Sequence, residues 1–463
     1  MAESATVPSR RSLTYVDGVG LWCALGYAAL ALLARQPGEP DLRAFLVLAA
    51  WTGLPAFGLF FHFHRAGEPF PVSRLLFWAI AFRLTGLVGG PFYEDDFYRY
   101  LWDAYRFAVA GTPYGTAPEE FFVDPAVPVL FQGVLDGVNY PELPTIYAPV
   151  TEVVFLIAYW IKPASVAVLQ AILIAVDLAV VVLLLRLAPA RNVLLYAWCP
   201  LVVKEIAFTA HPDGVGVGLL LAAIVVARDP IGASSPQTRG GSDDRPRSAE
   251  RHHRWWISAA LLGLAVAAKT FALVLAPLIL LRARLRHWLL FVATAAAVYV
   301  PFVVMGGTDL TSLLTFARDW EFNSAVFALL KTALAPSGAR VVVALLFAAF
   351  WAAYVLRYTR GRERGIPRGD WLFGVLLVLS PVINPWYLLW LLPFAVVFPS
   401  VWAWTASVAI LLSYITGLNL PDYTLQPYEQ PLWVRGLEFG LISLALAADI
   451  ALRRRGEIRR EEP

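Results

Sequence analysis

Apolar segments of membrane-spanning character recur along almost the whole chain. In a bilayer core the backbone N–H and C=O groups find no water, so such segments form helices whose hydrogen bonds are internal. Hydrophobic residues make up 59% of the 463 residues and charged residues only 15%, which is typical of polytopic membrane proteins. The sequence therefore predicts an all-α polytopic membrane protein, one integral-membrane domain over residues 1–463 with about 11–14 transmembrane helices. The segments lie at 18–34, 42–62, 71–88, 165–187, 192–208, 213–228, 255–268, 271–282, 287–305, 340–358, 371–399, 401–417 and 432–451.

Basic residues collect in particular connecting segments, and this distribution predicts the orientation in the membrane. Arginine and lysine concentrate in cytoplasmic loops. Residues 89–146, the acidic segment, instead carry nine acidic residues against Arg99 and Arg106, so we expect this segment to face outward. Residues 229–254 mix Gly, Ser, Pro, Arg and Asp without periodicity, which favours a flexible cytoplasmic loop. Both termini are predicted to lie in the cytoplasm. The clusters assigned to that side are Arg10 and Arg11, Arg65 and Arg74, 228–254, Arg282 with Arg284 and Arg286, 357–368, and 453–460.

Two apolar segments do not fit a simple crossing. A full crossing at 146–161 would place the basic loop after residue 228 outside, against the positive-inside rule, so we interpret it as partial or re-entrant. This interpretation returns residues 204–213 to the outer side. The segment 371–399 contains several prolines, and because proline removes a helix hydrogen bond, we expect a helix pair broken at Asn384 and Pro385.

The segment YEDDFYRYLWDA, residues 93–104, places three consecutive carboxylates directly after an apolar stretch. A polar face and an apolar stripe at helical spacing predict an amphipathic helix that lies along the membrane surface, its stripe toward lipid. There a carboxylate can act as general base toward an attacking hydroxyl. The alternative is that the acidic residues cap the helix N-terminus. The carboxylates are Glu94, Asp95 and Asp96; the polar face is Asp96, Arg99, Tyr100 and Asp103; the apolar stripe is Phe97, Leu101, Tyr105 and Ala108.

Cationic groups predicted on the same side are candidates for binding a phosphate. Arg99 either pairs with a carboxylate of its own helix or grips a lipid phosphate. Lys204 and Lys269 lie in or beside apolar segments, where an ammonium is costly without a partner. Lys204 either forms a solvated pair with Glu205 or converges with Lys269 on a phosphate.

His211 and Asp213 open an apolar segment on that side. They form either a capped helix entry or part of the polar site. The sequence has no HExxH or CxxC spacing, so no metal or other cofactor is expected, although a divalent ion between Glu94 and Asp96 is an alternative.

Aromatic residues follow the proline break. Trp386 and Tyr387, in INPWYLLWLLP (383–393), belong either to an interfacial aromatic belt or to a groove that seats an isoprenoid chain or a sugar ring. The stretch TIYAPVTEVVF (145–155), which contains Tyr147, either re-enters the membrane or lines the same cavity.

These stretches together resemble the GT-C superfamily of integral-membrane glycosyltransferases, and within it the bacterial polyprenyl-phosphomannose-dependent mannosyltransferases. The resemblance covers most of the chain from about residue 90 to 395. It is carried by EDDFYRYLWDA (94–104) with AGTPYG (110–115), PTIYAPV (144–150), HPDG (211–214) with AAKTFALVLAP (267–277), and NPWYLLWLLP (384–393).

The resemblance implies a GT-C type helix bundle and an inverting transfer of a sugar, mannose above all, at the outer face of a bacterial cytoplasmic membrane. The donor would be a polyprenyl-phosphate sugar and the acceptor a lipid or glycan; membrane lipids are the other partners, and no nucleic acid is expected. The catalytic aspartate of the family matches Asp96 best, with Asp95 as the competing assignment. Arg99, Lys204 and Lys269 would stabilise the departing phosphate. The other expected substrate-binding residues are Glu94, Tyr100, Asp103, Tyr147, His211, Asp213, Trp386 and Tyr387.

Two other functions use the same features differently. A transporter or flippase of lipid-linked saccharides would carry a polyprenyl-phosphate glycan through the same cavity without forming a glycosylated product. A structural membrane scaffold would tolerate substitution of Asp95 and Asp96. The chain has no evident inverted pair of broken helices in matching halves, which favours the enzyme over the transporter.

Overall fold

Helices make up the regular structure of the residues that the computed structural model describes, which are 10–228, 245–361, 365–420 and 424–461. Within these ranges an isolated parallel bridge, Phe322 to Val382, is the β-type pairing recorded. The α-helices are α1 Arg10–Ala34, α2 Leu42–Ala66, α3 Val72–Gly89, α4 Asp96–Ala110, α5 Val129–Leu135, α6 Pro149–Ile161, α7 Val166–Leu185, α8 Ala190–Ala197, α9 Pro200–Val202, α10 Asp213–Ala227, α11 Arg245–Ala268, α12 Ala276–Ile279, α13 Leu285–Val304, α14 Leu310–Asp319, α15 Val326–Leu330, α16 Pro336–Thr359, α17 Gly369–Leu379, α18 Leu392–Val397, α19 Val401–Ala409 and α20 Leu432–Glu461. Short 3₁₀ turns lie at Pro118–Phe121, Thr270–Val274, Leu280–Arg282, Pro385–Trp390 and Ile410–Tyr414, and a π-helical turn at Val203–Phe208.

The lengths and hydropathy of these helices confirm an all-α polytopic membrane protein. Among the described residues six helices are long and apolar enough to cross a membrane, namely α1, α2, α3, α7, α13 and α16. The segment Pro200–Phe208 and α10 form a further pair, bent by 117°. Four shorter apolar helices follow at Pro149–Ile161, Arg254–Ala268, Gly369–Leu379 and Val401–Tyr414. The larger figure of 11–14 crossings depends on how these shorter helices enter the bilayer, and it stays a prediction.

Three segments allow the predicted helices, breaks and loops to be compared with the structure. The predicted break at Asn384 and Pro385 is confirmed, because α17 ends at Leu379 and a 3₁₀ turn begins at Pro385. The apolar segment 271–282 is not one helix but two 3₁₀ turns around the short α12, whose Pro277 supplies no backbone donor. The predicted loop at 229–254 lies outside the described residues as far as residue 244; from Arg245 the backbone belongs to α11, so that part of the expectation is wrong.

A buried ion pair joins α3, α7 and α8. The Arg83 Nε donates to Asp177 Oδ2 at 2.6 Å, and the Tyr196 hydroxyl donates to Asp177 Oδ1 at 2.7 Å. Arg83 Nη1 also donates to the carbonyls of Ala79 and Ala197. Both charged side chains are fully buried, so the aspartate supplies the compensation that water cannot.

Close backbone contact brings the end of α3 against the π-helical turn. A Cβ atom at Gly86 would lie 2.6 Å from the Cβ of Ala207, and one at Gly89 would lie 2.6 Å from the Phe208 ring. Glycine at both positions therefore permits this approach. Gln170 of α7 donates its side-chain amide to the carbonyls of Ala207 and Phe208, at 2.9 Å and 2.7 Å, which satisfies acceptors at the end of the turn.

The amphipathic helix α4 is confirmed, but its apolar stripe does not face lipid. Leu101 and Tyr105 are buried against residues of the same acidic segment, chiefly those of α5. The rings of Tyr105 and Phe131 stack with centroids 4.3 Å apart. On the opposite side Tyr100 stacks on Phe155 of α6, at 4.6 Å. The stripe was predicted wrongly because periodicity defines an apolar face without showing which surface covers it.

We expect replacement of Arg83 by alanine to lower the free energy of unfolding by about 3–5 kcal/mol, because Asp177 then remains as an uncompensated buried charge. The matched control is Arg74→Ala, which removes a 3.1 Å pair with Asp17 whose side chains are 41% and 36% exposed. That change should cost at most about 1 kcal/mol. Unfolding of the purified protein in detergent, followed by tryptophan fluorescence, measures both, and equal losses would contradict a structural role specific to Arg83.

Candidate active site

Asp95 and Asp96 share one hydrogen-bond donor. The side-chain amide of Asn139, in the loop before α6, donates to Asp95 Oδ1 at 2.7 Å and to Asp96 Oδ1 at 3.0 Å. The Asp95 side chain makes no capping hydrogen bond to the start of α4, so capping does not explain that residue. Because two neighbouring carboxylates repel each other, the shared donor stabilises their charged forms.

The second oxygen of Asp96 faces His211. Asp96 Oδ2 accepts hydrogen bonds from the hydroxyls of Tyr147, at 3.2 Å, and Tyr100, at 3.4 Å. His211 Nε2 lies 3.9 Å from the same oxygen, beyond hydrogen-bond distance. A substrate hydroxyl placed between the two could donate its hydrogen to either atom. Asp96 keeps a partly exposed side chain, at 21%, whereas that of His211 is buried.

His211 is oriented from its other nitrogen. It lies in the break between the π-helical turn and α10, and its Nδ1 is 3.0 Å from Glu205 Oε2 and 3.0 Å from the Thr209 hydroxyl. Its ring stacks on Trp386 with centroids 3.9 Å apart. When Nδ1–H donates to Glu205, the neutral ring directs an unprotonated Nε2 toward Asp96. In the described part of the chain that Nε2 has no hydrogen-bond partner.

Lys204 is enclosed rather than solvated. Its side chain is 1% exposed, its ammonium lies 3.4 Å from Glu205 Oε1, and it also donates to the Tyr414 hydroxyl. Tyr414 in turn donates to Glu205 Oε1 at 2.8 Å. The predicted pair with Glu205 is present, but it is buried, because the π-helical turn points both side chains inward. The expected contact of Lys204 with a substrate phosphate stays a prediction.

Lys269 and Asp213 form the more accessible pair. Lys269 Nζ is 2.7 Å from Asp213 Oδ1, and the Trp390 indole N–H donates to the same oxygen at 2.8 Å. The Lys269 side chain is 25% exposed, whereas that of Asp213 is buried. An ammonium has three donor hydrogens, so one contact with Asp213 leaves Lys269 able to bind a phosphate oxygen.

Trp386 and Tyr387 connect the His211 and Lys269 ends of the site. The two rings are in edge contact, with centroids 6.0 Å apart, and the Lys269 ammonium lies 5.1 Å from the Tyr387 ring. They are therefore packed against the polar residues of the site, which favours the groove interpretation over an isolated interfacial belt.

Arg99 supports the loop rather than facing a ligand. Its guanidinium donates to the backbone carbonyls of Asn139, Tyr140 and Leu143, at 2.8–3.0 Å, and the residue is buried. Its hydrogen-bond partners are therefore these carbonyls and not a carboxylate of its own helix, whereas the expected contact with a lipid phosphate stays a prediction. Its role is to fix the loop that carries Asn139.

Asp103 and Glu94 flank the site on different sides. Asp103 is buried beside Thr145 and Glu152, and its assignment to substrate binding stays a prediction. Burial raises the pKa of Asp103 to about 6, although the Arg99 guanidinium acts in the opposite direction. Glu94 lies near Lys204 and Tyr414; withdrawal from water raises the pKa of its carboxyl well above the usual range, and the Lys204 charge opposes this rise.

Two contributing residues were not found from the sequence. Asn139 stands in a loop without a recognisable motif, and Tyr414 closes an apolar segment 209 residues beyond Glu205. Neither position carries a local pattern, because each acts through a contact made only by the folded chain. In the described residues no group of three or more His, Cys, Asp or Glu side chains is arranged to hold a metal ion. The expectation that no cofactor is needed stays a prediction.

The fold and the site together define an integral membrane protein in which Asp96 and His211 face each other beside a helix break. Residues 26–284 match the family described as alpha-(1->6)-mannopyranosyltransferase, N-terminal domain. This match spans more than half of the 463 residues, so the chain belongs to that family and is a glycosyltransferase. The expected relationship to the mannosyltransferases is thereby confirmed. Comparisons with curated proteins and with solved structures gave no match.

We expect Asn139→Leu to lower mannosyl transfer by about tenfold, because Asp95 and Asp96 lose the hydrogen-bond donor that holds both carboxylates. Mannosyl transfer by the purified protein measures this effect. Asn192→Leu is the control, since Asn192 donates to the Val396 carbonyl instead. Undiminished transfer in Asn139→Leu would contradict the bridging role.

Proposed function

We propose that the protein transfers mannose from a polyprenyl-phosphate donor to a lipid or glycan acceptor, with inversion, at the outer face of a bacterial cytoplasmic membrane. The observation that carries the proposal is Asp96 Oδ2, which faces the unpartnered Nε2 of buried His211 at 3.9 Å. Membership of the mannopyranosyltransferase family supports the transferred sugar. The acidic composition of residues 89–146 supports the outward orientation.

Asp96 acts as the general base. The acceptor hydroxyl gives its proton to Asp96 Oδ2 while its oxygen attacks C1 of the mannosyl group from the face opposite the phosphate. The new O–C1 bond forms as the C1–O bond to phosphate breaks, and the bonding pair leaves with polyprenyl phosphate. The nearby His211 Nε2 accepts a hydrogen bond from a second hydroxyl of the acceptor and so orients it, and stacking on Trp386 with the Glu205 contact fixes the ring.

Lys269 stabilises the leaving group. The negative charge that develops on the bridging oxygen is met by the partly exposed ammonium, whose position is set by Asp213. Lys204 and Arg99 contribute indirectly, because one compensates Glu205 and the other orders the Asn139 loop. The aromatic residues Trp386 and Tyr387, at a helix break in an apolar region, suit the first isoprene unit or the sugar ring of the donor.

Replacing Asp96 by asparagine is expected to reduce transfer by about 10³-fold, within the range of a lost general base, while the donor lipid still binds. The measurement is incubation of the purified full-length protein with radiolabelled polyprenyl-phosphate mannose and a membrane lipid extract, followed by identification of labelled products. Asp95→Asn is the matched control, because it has the same Asn139 contact without facing His211. It should keep most of the activity.

Three results would decide against this assignment. Greater loss in Asp95→Asn than in Asp96→Asn would exchange the roles of the two aspartates. Donor flux across the membrane without a labelled product would indicate a transporter. No transfer from mannose, arabinose or glucose donors by the wild-type protein would refute the enzyme.

Replacing Lys269 by methionine should lower kcat by about a hundredfold, because the departing phosphate loses a preorganised positive charge. Steady-state kinetics with varied donor concentration measure this effect. Lys162→Met serves as the control, because Lys162 is an exposed lysine at the end of α6. A higher donor KM with unchanged kcat would show instead that Lys269 only binds the ground state.

A further inference from the structure

Three aromatic rings form an exposed ledge beside the carboxylates. Tyr140 comes from the loop before α6, Trp320 from the end of α14, and Tyr428 from the loop before α20. The ring centroids of Tyr140 and Trp320 are 4.3 Å apart, and those of Tyr140 and Tyr428 are 6.3 Å apart. Tyr428 is 50% exposed, and the other two are partly exposed. The chain thus brings three distant segments together without burying the rings.

This aromatic ledge is continuous with the reacting centre. Tyr140 directly follows Asn139, whose amide bridges Asp95 and Asp96. The ledge therefore begins one residue away from the donor that holds the proposed base, on the side of the exposed Asp95. A molecule whose hydroxyl reaches Asp96 would extend over these rings.

The backbone that carries the ledge is in a strained conformation at Tyr140. Tyr140 has φ of +47°, in the left-handed region that a bulky residue enters only under constraint. Arg99 Nη2 donates to the Tyr140 carbonyl at 2.8 Å. Likewise Arg340 donates to the Trp320 carbonyl at 3.3 Å and to that of Ala317 at 3.2 Å. Two arginines thus hold the backbone under two of the rings, more support than a merely exposed aromatic requires.

The surrounding charge selects the kind of ligand. Asp95 and Asp96 make this end of the site acidic, and an anionic lipid headgroup would be repelled there. A neutral saccharide fits better, because its C–H faces pack on aromatic rings while its hydroxyls donate to an exposed carboxylate such as Asp95.

We infer that Tyr140, Trp320 and Tyr428 form a binding subsite for the saccharide part of the acceptor, beyond the sugar unit whose hydroxyl is attacked. This inference rests on the proposed function, since it identifies the acceptor as a glycan. It makes the enzyme favour acceptors long enough to reach the ledge.

The test uses the full-length protein in nanodiscs, polyprenyl-phosphate mannose, and synthetic octyl α-(1→6)-linked mannosides of two or six units. We expect Trp320→Ala to raise KM for the longer acceptor by about 5- to 10-fold, the range of one aromatic contact, with kcat unchanged. The shorter acceptor should be affected less. Trp320→Phe should restore most of the affinity, and Trp160→Ala, which removes a 69% exposed tryptophan of α6, should behave as wild type.

Calorimetric binding of the six-unit mannoside without donor separates this inference from the proposed function. If the wild-type protein binds the mannoside but transfers nothing, the function fails and the ledge is still tested by the loss of binding in Trp320→Ala. Unchanged binding and KM in Trp320→Ala, or equal losses for both acceptor lengths, would overturn the inference.

Discussion

The ion pair of Arg83 with Asp177 is the constraint on which the rest of the site depends. A charge inside the apolar region of a membrane protein is tolerated only with a partner, so α3 and α7 are held in one relative position. The end of α3 then meets the π-helical turn at two glycines, and α7 supplies the glutamine that satisfies that turn. The acidic segment starts where α3 ends, and Glu205 projects from the turn. This buried ion pair therefore fixes the spacing between the start of α4, which carries Asp96, and the end of the π-helical turn, which His211 follows.

Glu205 connects the π-helical turn to the polar side chains of the site. It contacts the Lys204 ammonium, the Tyr414 hydroxyl and His211 Nδ1, so its negative charge is compensated by a lysine rather than only by the histidine. Its contact with Nδ1 orients the His211 ring so that Nε2 is directed toward Asp96. A π-helical turn, in which the backbone ladder is locally widened, places Lys204 and Glu205 next to each other facing inward. The two lysines thus have different roles, because Lys204 compensates a buried carboxylate whereas Lys269 remains partly exposed.

The periodicity and charge of the sequence were sufficient for the helical class, the start of α4, the break at Pro385, and the grouping of Asp96, His211, Asp213 and Lys269. Each of these depends on local spacing or on a side of the membrane, which sequence patterns report. The carbonyl partners of Arg99 and the Tyr414 partner of Lys204 were not predictable in the same way. A charge in a sequence does not reveal which groups of a distant segment will surround it after folding. The packing of α5 against the apolar stripe of α4 was not predicted for the same reason.

Asp95 and Asp96 differ in how well their surroundings suit the proposed role of general base. Both receive the same amide, so that donor does not distinguish them. They differ in their other surroundings, because Asp96 begins a helix whose next turn carries Tyr100, and that tyrosine and Tyr147 both reach Asp96 Oδ2. Contacts of 3.2 and 3.4 Å between a hydroxyl and a carboxylate are longer than the usual 2.5–3.0 Å for an O–H donor, so an acceptor hydroxyl can replace them at little cost. Asp95, turned to solvent, has no such exchangeable donors facing His211, and its position suits a hydroxyl of the acceptor more than the proton that is transferred.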